Sequence, residues 1–297
     1  MPRQELEYPK EPNNTVKRYP EKGKALIIPP FSPHSLTKLP STAKYELETI
    51  HRIINSSQIV HVAFNAPNGE GFPSILPMIG QMGSYSRPSA DLGDPLDLYL
   101  HGYVSSRIIS LGRSSSSSES SEGLPVSISA AFVDGLVLSL TPNSHSYNFR
   151  SAVIFGNATL VTDPQEKLYA MELVTNGVAP QRWQKSRTPP SPGEMASTSI
   201  LRVKIKNGSA KVRTGGPSDA KEDMEDLEMR SKVWAGVIPV YQTLGEAIPA
   251  EYNLAGDKVP DYLEEWRKEE NEDAKVYAKD VGARPYVKVK KSAEEDE

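Results

Sequence analysis

From Ile59 to Thr162 the chain presents one short apolar run after another, cut by turns rich in Gly, Pro, Asn and Ser, with no helix-length segment alternating between them. This order argues against a doubly wound parallel sheet, which needs a crossover helix between consecutive strands. Ile59–Phe64 and Phe72–Met82 read as a hairpin around the Pro-Asn-Gly-Glu-Gly turn at 67–71. Asp97–Gly102, Val126–Val133, Leu136–Leu140, Ser151–Thr162, Thr198–Lys206, Ser209–Arg213 and Val237–Tyr241 read as further strand segments. Pro73 and Pro77 cannot donate to a ladder, so one side of the second strand is expected to face an edge, a bulge or a ligand.

Helix signals flank this block. Ser41 or Thr42 caps a segment with Leu47, Ile50, Ile53 and Ile54 on one face, and Asp163-Pro164 opens another. Residues 262–280 predict an exposed helix, polar nearly all round. About six short strands with two or three helices point to a mainly β fold with some α, a closed or nearly closed barrel with flanking helices. Residues 1–43 read as an irregular arm and insert, 44–245 as the barrel domain, and 246–297 as a charged C-terminal extension. The Ser-rich stretch 113–123 reads as a disordered loop.

The chain has no cysteine, which removes disulfides, thiolate nucleophiles, iron–sulfur clusters and Cys-based zinc sites; its five His are scattered, so no metal site is expected. Redox chemistry would need a borrowed cofactor. Residues 261–297 hold 12 acidic and 8 basic side chains, which accounts for the net charge of −4 and leaves the remainder balanced. A body without a basic stripe argues against nucleic acid as a partner. The N-terminus lacks an apolar signal region and no run approaches the length of a membrane span, so the expectation is a cytoplasmic protein with no membrane partner.

Four segments could carry chemistry. In LYLHGYVSSRIISL a strand delivers His101 and Gly102 to the turn Ser105-Ser106-Arg107, which opens a short helix. Free N–H groups, two hydroxyls and a guanidinium suit a phosphate monoester, although the serines could equally be a plain helix cap with Arg107 at the surface. Tyr147, Asn148 and Arg150 precede an apolar strand, where they can face a planar ligand with Gly156 allowing close backbone approach, or form an ordinary turn with Tyr147 and Phe149 in the core. The Arg213-Thr214-Gly215-Gly216 turn could hold an anion or simply reverse the chain. Trp234 and Gly236 could flank an aromatic cofactor, or Trp234 could belong to the core.

In series, FPSILPM, DLYLHGYVSSRIISL, HSYNFRSAVIFGNATLVTDPQEKLYAMELV, SAKVRTGGP and VWAGVIPV resemble the FMN-binding split-barrel superfamily, in its pyridoxamine 5'-phosphate oxidase-like group that includes the 5-nitroimidazole resistance (Nim) type proteins. The resemblance spans roughly residues 18–241. It implies a six-stranded antiparallel split β-barrel that forms a homodimer with two FMN sites at the subunit interface. The phosphate would sit on Ser105, Ser106 and Arg107, and the isoalloxazine edge on the backbone of Ile75, Leu76, Pro77 and Met78. Tyr147, Asn148 and Arg150 would border the cavity, while Arg213, Thr214 and Trp234 would close it from the second subunit. His101 and Gly102 stand where Nim-type proteins bring a His beside the flavin, making His101 the candidate proton donor.

The implied function is an FMN-dependent oxidoreductase whose small-molecule substrate the sequence does not specify. Two alternatives are a flavin-binding or scavenging protein without turnover, and a haem-binding barrel with His101 or His145 as axial ligand. Pyridoxamine 5'-phosphate oxidation itself is disfavoured, because the region near the C-terminus is polar where that enzyme carries an Arg and His pattern for substrate phosphate.

Overall fold

The computed structural model describes residues 42–65, 72–116, 122–256 and 258–285. The N-terminal arm, the hairpin turn at 67–71, the middle of the Ser-rich loop and the last twelve residues of the tail lie outside these. In chain order the elements are α1 (Thr42–Ser56), β1 (Val60–Phe64), β2 (Ser74–Gly83), β3 (Asp97–Tyr103), α2 (Arg107–Ser116), β4 (Leu124–Leu138) and β5 (Ser146–Leu160). There follow α3 (Pro164–Val178), α4 (Pro192–Ser197), β6 (Thr198–Arg213), α5 (Lys221–Glu225), α6 (Leu227–Lys232), β7 (Gly236–Pro239) and α7 (Asp261–Ala283).

The strands hydrogen-bond in the order β1-β2-β3-β6-β5-β4-β7, and β1 also pairs with β4. That extra pairing, His61–Phe64 against Val126–Ser129, closes the first six strands into the expected antiparallel barrel. Inside it Val60, Val62, Leu98, Leu100, Ile128, Ile154 and Leu201 are fully buried, while Ile200 on the opposite face packs with Tyr99 and Ala170. The helical spacing in α1 does what it predicts: Leu47, Ile50, Ile53 and Ile54 are all buried. In α3 the Asp163 carboxylate accepts from the Gln165 N–H at 2.9 Å with Pro164 in the first turn.

Contacts divide the chain into two compact units. The first has its described residues in 42–131 and 151–210, the second in 132–150 and 211–285. Three long strands pass from one to the other, and here the sequence reading needs correction. Breaks expected at Asp134-Gly135 and Asn207-Gly208 are not breaks: β4 runs unbroken for 15 residues and β6 for 16. β5 begins at Ser146 rather than Ser151. Turn propensity is overridden when tertiary pairing holds the residues extended, as where the Val240 N–H bonds the Asp134 carbonyl at 3.2 Å. The helix after Arg107 likewise continues through the first serines to Ser116.

In the second unit β7 pairs with β4, Gly135 opposite Pro239 and Leu138 opposite Gly236. α7 is not polar all round. Tyr277, Ala278 and Val281 are buried, and the chain beyond it is held by the Gly215 N–H on the Val281 carbonyl (3.0 Å) and the Gly216 N–H on the Arg284 carbonyl (3.1 Å). Gly215 has φ +98°, and a Cβ there would stand 3.0–3.1 Å from the Arg284 and Pro285 carbonyl oxygens, so glycine is needed at this turn.

Candidate cofactor site

The sequence expects a free edge at the Pro-broken strand, and the register shows where it lies. β2 pairs with β1 over Ser74–Met78, but with β3 only over Ile79–Gly83. Beyond the Ile79–His101 pair, β3 goes on with β6 instead, Gly102 opposite Ser199 and Tyr103 opposite Thr198. Among the described residues, the second edge of Ile75, Leu76, Pro77 and Met78 therefore has no strand partner. Ile75 and Pro77 are exposed, while Met78 is buried.

Where β2 and β3 part, the chain turns into α2. The Val104 N–H bonds the Ser197 carbonyl (3.3 Å), the Ser106 N–H bonds the Tyr103 carbonyl (2.9 Å), and the Ser106 carbonyl accepts the first helical bond from Ser110 (3.1 Å). Ile108 and Ile109 are fully buried and anchor the helix. Gly102 lets them approach: a Cβ there would lie 3.1 Å from Ile109 Cδ1 and 3.4 Å from Met78 Cε. Thus Met78, Gly102 and the start of α2 are brought together. The N–H groups of Arg107, Ile108 and Ile109 fall in the first turn, where no intrahelical acceptor exists. Ser105 and Arg107 are exposed, and the Ser106 hydroxyl oxygen is buried without a hydrogen-bond partner among the described residues. A buried hydroxyl with no partner is unfavourable unless something else completes it.

His101, one residue before Gly102, has an exposed side chain, yet the atoms crowding its ring partly desolvate it and lower its pKa below the ordinary value. It is therefore neutral near pH 7, with one ring nitrogen free to accept a proton or a ligand bond.

The other expected site residues belong to the second unit. Tyr147 and Trp234 are exposed, so neither is a core residue. Asn148 is fully buried, and its amide donates to the Gly215 carbonyl (3.1 Å) and accepts from Arg213 Nη1 (2.7 Å); Arg213 also reaches the Gly216 carbonyl at 3.4 Å. The anion reading of the Gly-Gly turn fails on its backbone, because both N–H groups are committed to carbonyls at the end of α7. Thr214 is half-buried beside it.

Arg150 is buried in an environment no local pattern announced. Its guanidinium carbon lies 4.4 Å from the Phe132 ring centroid and 4.6 Å from that of Tyr277, and its Nε is 3.3 Å from Asp134 Oδ1. Among the described residues Asp134 Oδ2 is buried with no partner, and desolvation, only partly offset by Arg150, raises this carboxyl to about 6. The spacing Tyr277-Ala278-Val281 on α7 was the one available signal that the tail supplies a wall to this cluster. Gly156 also does something other than expected. What approaches it is the β6 backbone, with the Lys204 carbonyl oxygen 2.3 Å from where a Cβ would stand.

Among the described residues no group of three or more potential ligands is placed to hold a metal, and no helix is long and apolar enough to cross a membrane.

Comparison with known proteins places the fold in a family. No curated protein sequence matches the chain. Two solved structures share 25% identity with it. A flavocytochrome from Azotobacter vinelandii covers 74% of this chain and 90% of its own length, with a TM-score of 0.59. An FAD- and haem-binding protein from Mycobacterium smegmatis covers 74% and 92%, with a TM-score of 0.58. A protein from Bacteroides thetaiotaomicron described as a 5-nitroimidazole antibiotic resistance protein is similar at 20% identity and a TM-score of 0.39, over 54% of this chain and 80% of its own. Residues 46–212, more than half of the chain and all six barrel strands, match the pyridoxamine 5'-phosphate oxidase family, and the chain belongs to it.

Proposed function

We propose that this protein binds a flavin mononucleotide moiety, with the phosphate at the start of α2 and the ring edge along the free side of Ile75–Met78. The observation that carries this reading is the buried, partnerless Ser106 hydroxyl at a helix N-terminus, beside a strand edge without a partner. An anion there would accept from Ser106, from the first-turn N–H groups and from Arg107, and would lie at the positive end of the helix dipole. Two neighbours at 25% identity are a flavocytochrome and an FAD-binding protein, which supports a flavin over another phosphate ester. Bound, the flavin would supply hydride and electron transfer. The chain would fix the ring against its backbone and offer His101 as a neutral base or, once protonated, an acid. Assembly as a homodimer, with Tyr147, Asn148, Arg150, Arg213, Thr214 and Trp234 bordering or closing the site, and turnover as an FMN-dependent oxidoreductase, complete the proposal.

A second reading adds haem, since both neighbours carry it by description. A neutral, exposed His101 is suited to be an axial ligand. Purification from flavin-replete and haem-replete cells, followed by an absorption spectrum and mass spectrometry of the released ligand, decides among them. Bands near 370 and 450 nm with an FMN mass are the outcome expected; an FAD mass would extend the ligand, a Soret band would add haem. A colourless protein that takes up neither FMN nor FAD on titration would overturn the proposal.

A further inference from the structure

The described residues leave 18 large hydrophobic side chains exposed, and nine of them lie between Met224 and Leu254. This stretch ends in an excursion of unusual character. At its base Leu244 donates its N–H to Asn271 Oδ1 (2.6 Å), and Arg267 on α7 donates to the carbonyls of Leu244 (3.3 Å) and Gly245 (3.2 Å). Beyond that anchor the chain leaves α7 and makes a local turn, with the Asn253 N–H on the Ala250 carbonyl (2.9 Å) and the Asn253 side chain on the Gly256 carbonyl (2.7 Å). It then returns at Asp261. Ile248, Tyr252 and Leu254 are 91%, 87% and 98% exposed, so an excursion tied at its base and closed by its own hydrogen bonds aims its three largest apolar side chains at solvent. In the same unit Leu227, Trp234 and Ile238 are also exposed.

We infer that residues 246–256 form an arm whose apolar tip docks against a second copy of this chain, on the surface around Leu227 and Trp234. The inference rests on the homodimer reading above and names the segment that would hold the dimer. Two features favour this occupant. Nine such side chains expose on the order of 800–1,000 Å², about what one partner contributes to a standard-size protein interface and more than a small ligand could cover. The arm tip and the receiving patch are both uncovered and lie in the same unit, so a two-fold axis would cover each of them twice, as an isologous interface requires. Charge argues against a membrane: residues 233–257 contain no Lys or Arg but include Glu246, Glu251 and Asp257, the wrong sign for an anionic bilayer.

The test is analytical ultracentrifugation of the full chain, wild type against Ile248→Ser/Tyr252→Ser/Leu254→Ser and, separately, Leu227→Asp, with flavin affinity measured on each. The wild type is expected to be a dimer at micromolar concentration, and both variants to weaken it by roughly 100-fold or more with unchanged far-ultraviolet circular dichroism. A triple variant that dimerises like wild type, or a monomeric wild type, overturns the inference. So does a monomeric wild type that sediments with phosphatidylcholine vesicles through the same three residues, which would make a bilayer the occupant. A monomeric triple variant with full flavin affinity upholds the arm and refutes a shared flavin site. An unaffected dimer that binds flavin refutes the arm and leaves the flavin reading intact.

Discussion

Replacing Arg150 with Met removes the positive charge from between two aromatic rings while keeping most of the side-chain volume. Asp134 then loses its counter-ion with both oxygens still buried, since only about 5% of its side chain is exposed. Leaving one member of a buried pair behind costs about 3–5 kcal/mol, and each lost cation–π contact, at 4.4 and 4.6 Å here, adds about 0.5–2. The cost depends on pH. Asp134 already titrates near 6, and without Arg150 its pKa must rise further, so acid neutralises the stranded carboxylate. Urea unfolding followed by circular dichroism is expected to show Arg150→Met less stable than wild type by at least about 4 kcal/mol at pH 7.5, a gap that shrinks by about 2 kcal/mol at pH 5. Asp134→Asn/Arg150→Met, which removes both charges, should recover most of the loss at pH 7.5. A single variant within about 1 kcal/mol of wild type at pH 7.5, or a gap that does not close on acidification, would refute the reading that buried Asp134 depends on Arg150 as its counter-ion.

Ser106→Ala should leave the unliganded protein as stable as before, or raise its melting temperature, because a buried hydroxyl without a partner is removed, yet weaken flavin binding about tenfold; isothermal titration beside a thermal melt checks both. Gly156→Ala would set a Cβ against the Lys204 carbonyl and should cost at least about 2 kcal/mol in a urea midpoint, whatever the ligand; wild-type stability would mean that β5 and β6 part without penalty. His51 is fully buried, with Nδ1 on the Leu92 carbonyl at 2.8 Å and Nε2 without a partner, and burial holds its pKa down at about 4. Its folded-state pKa is depressed, so stability is lost by about 3 kcal/mol as pH falls from 6.5 to 4. Asp134, raised to about 6, works in the opposite direction over nearly the same range. Denaturant midpoints between pH 4 and 6.5 should therefore gain stability on acidification in His51→Gln and lose it more steeply than wild type in Asp134→Asn; parallel profiles would contradict both assignments.

The barrel was legible because its signals are local. Strand alternation, the Pro-broken Ser74–Gly83, the cap at Asp163 and the four apolar positions of α1 each read out within a dozen residues, and their order along the chain already argued against a parallel sheet. The hydroxyl turn before Ile108 was legible for the same reason: donors and helix start are adjacent in sequence. Tertiary structure decided what depends on distant partners. Turn residues at Asp134-Gly135 and Asn207-Gly208 stay extended inside continuous strands; at Asp134-Gly135 the distant β7 holds them, Gly135 opposite Pro239 and the Val240 N–H on the Asp134 carbonyl, which no local propensity encodes. Whether Arg150 meets a ligand or a protein wall was set by Tyr277, 127 positions away, and whether the Gly215 and Gly216 amides were free was set by carbonyls at the end of α7. Sequence alone thus determined which segments become strands and helices, through side-chain periodicity and backbone preference. Only the folded chain determined which buried polar groups find partners, because a hydrogen bond or ion pair is fixed by distance in space and not by distance along the chain.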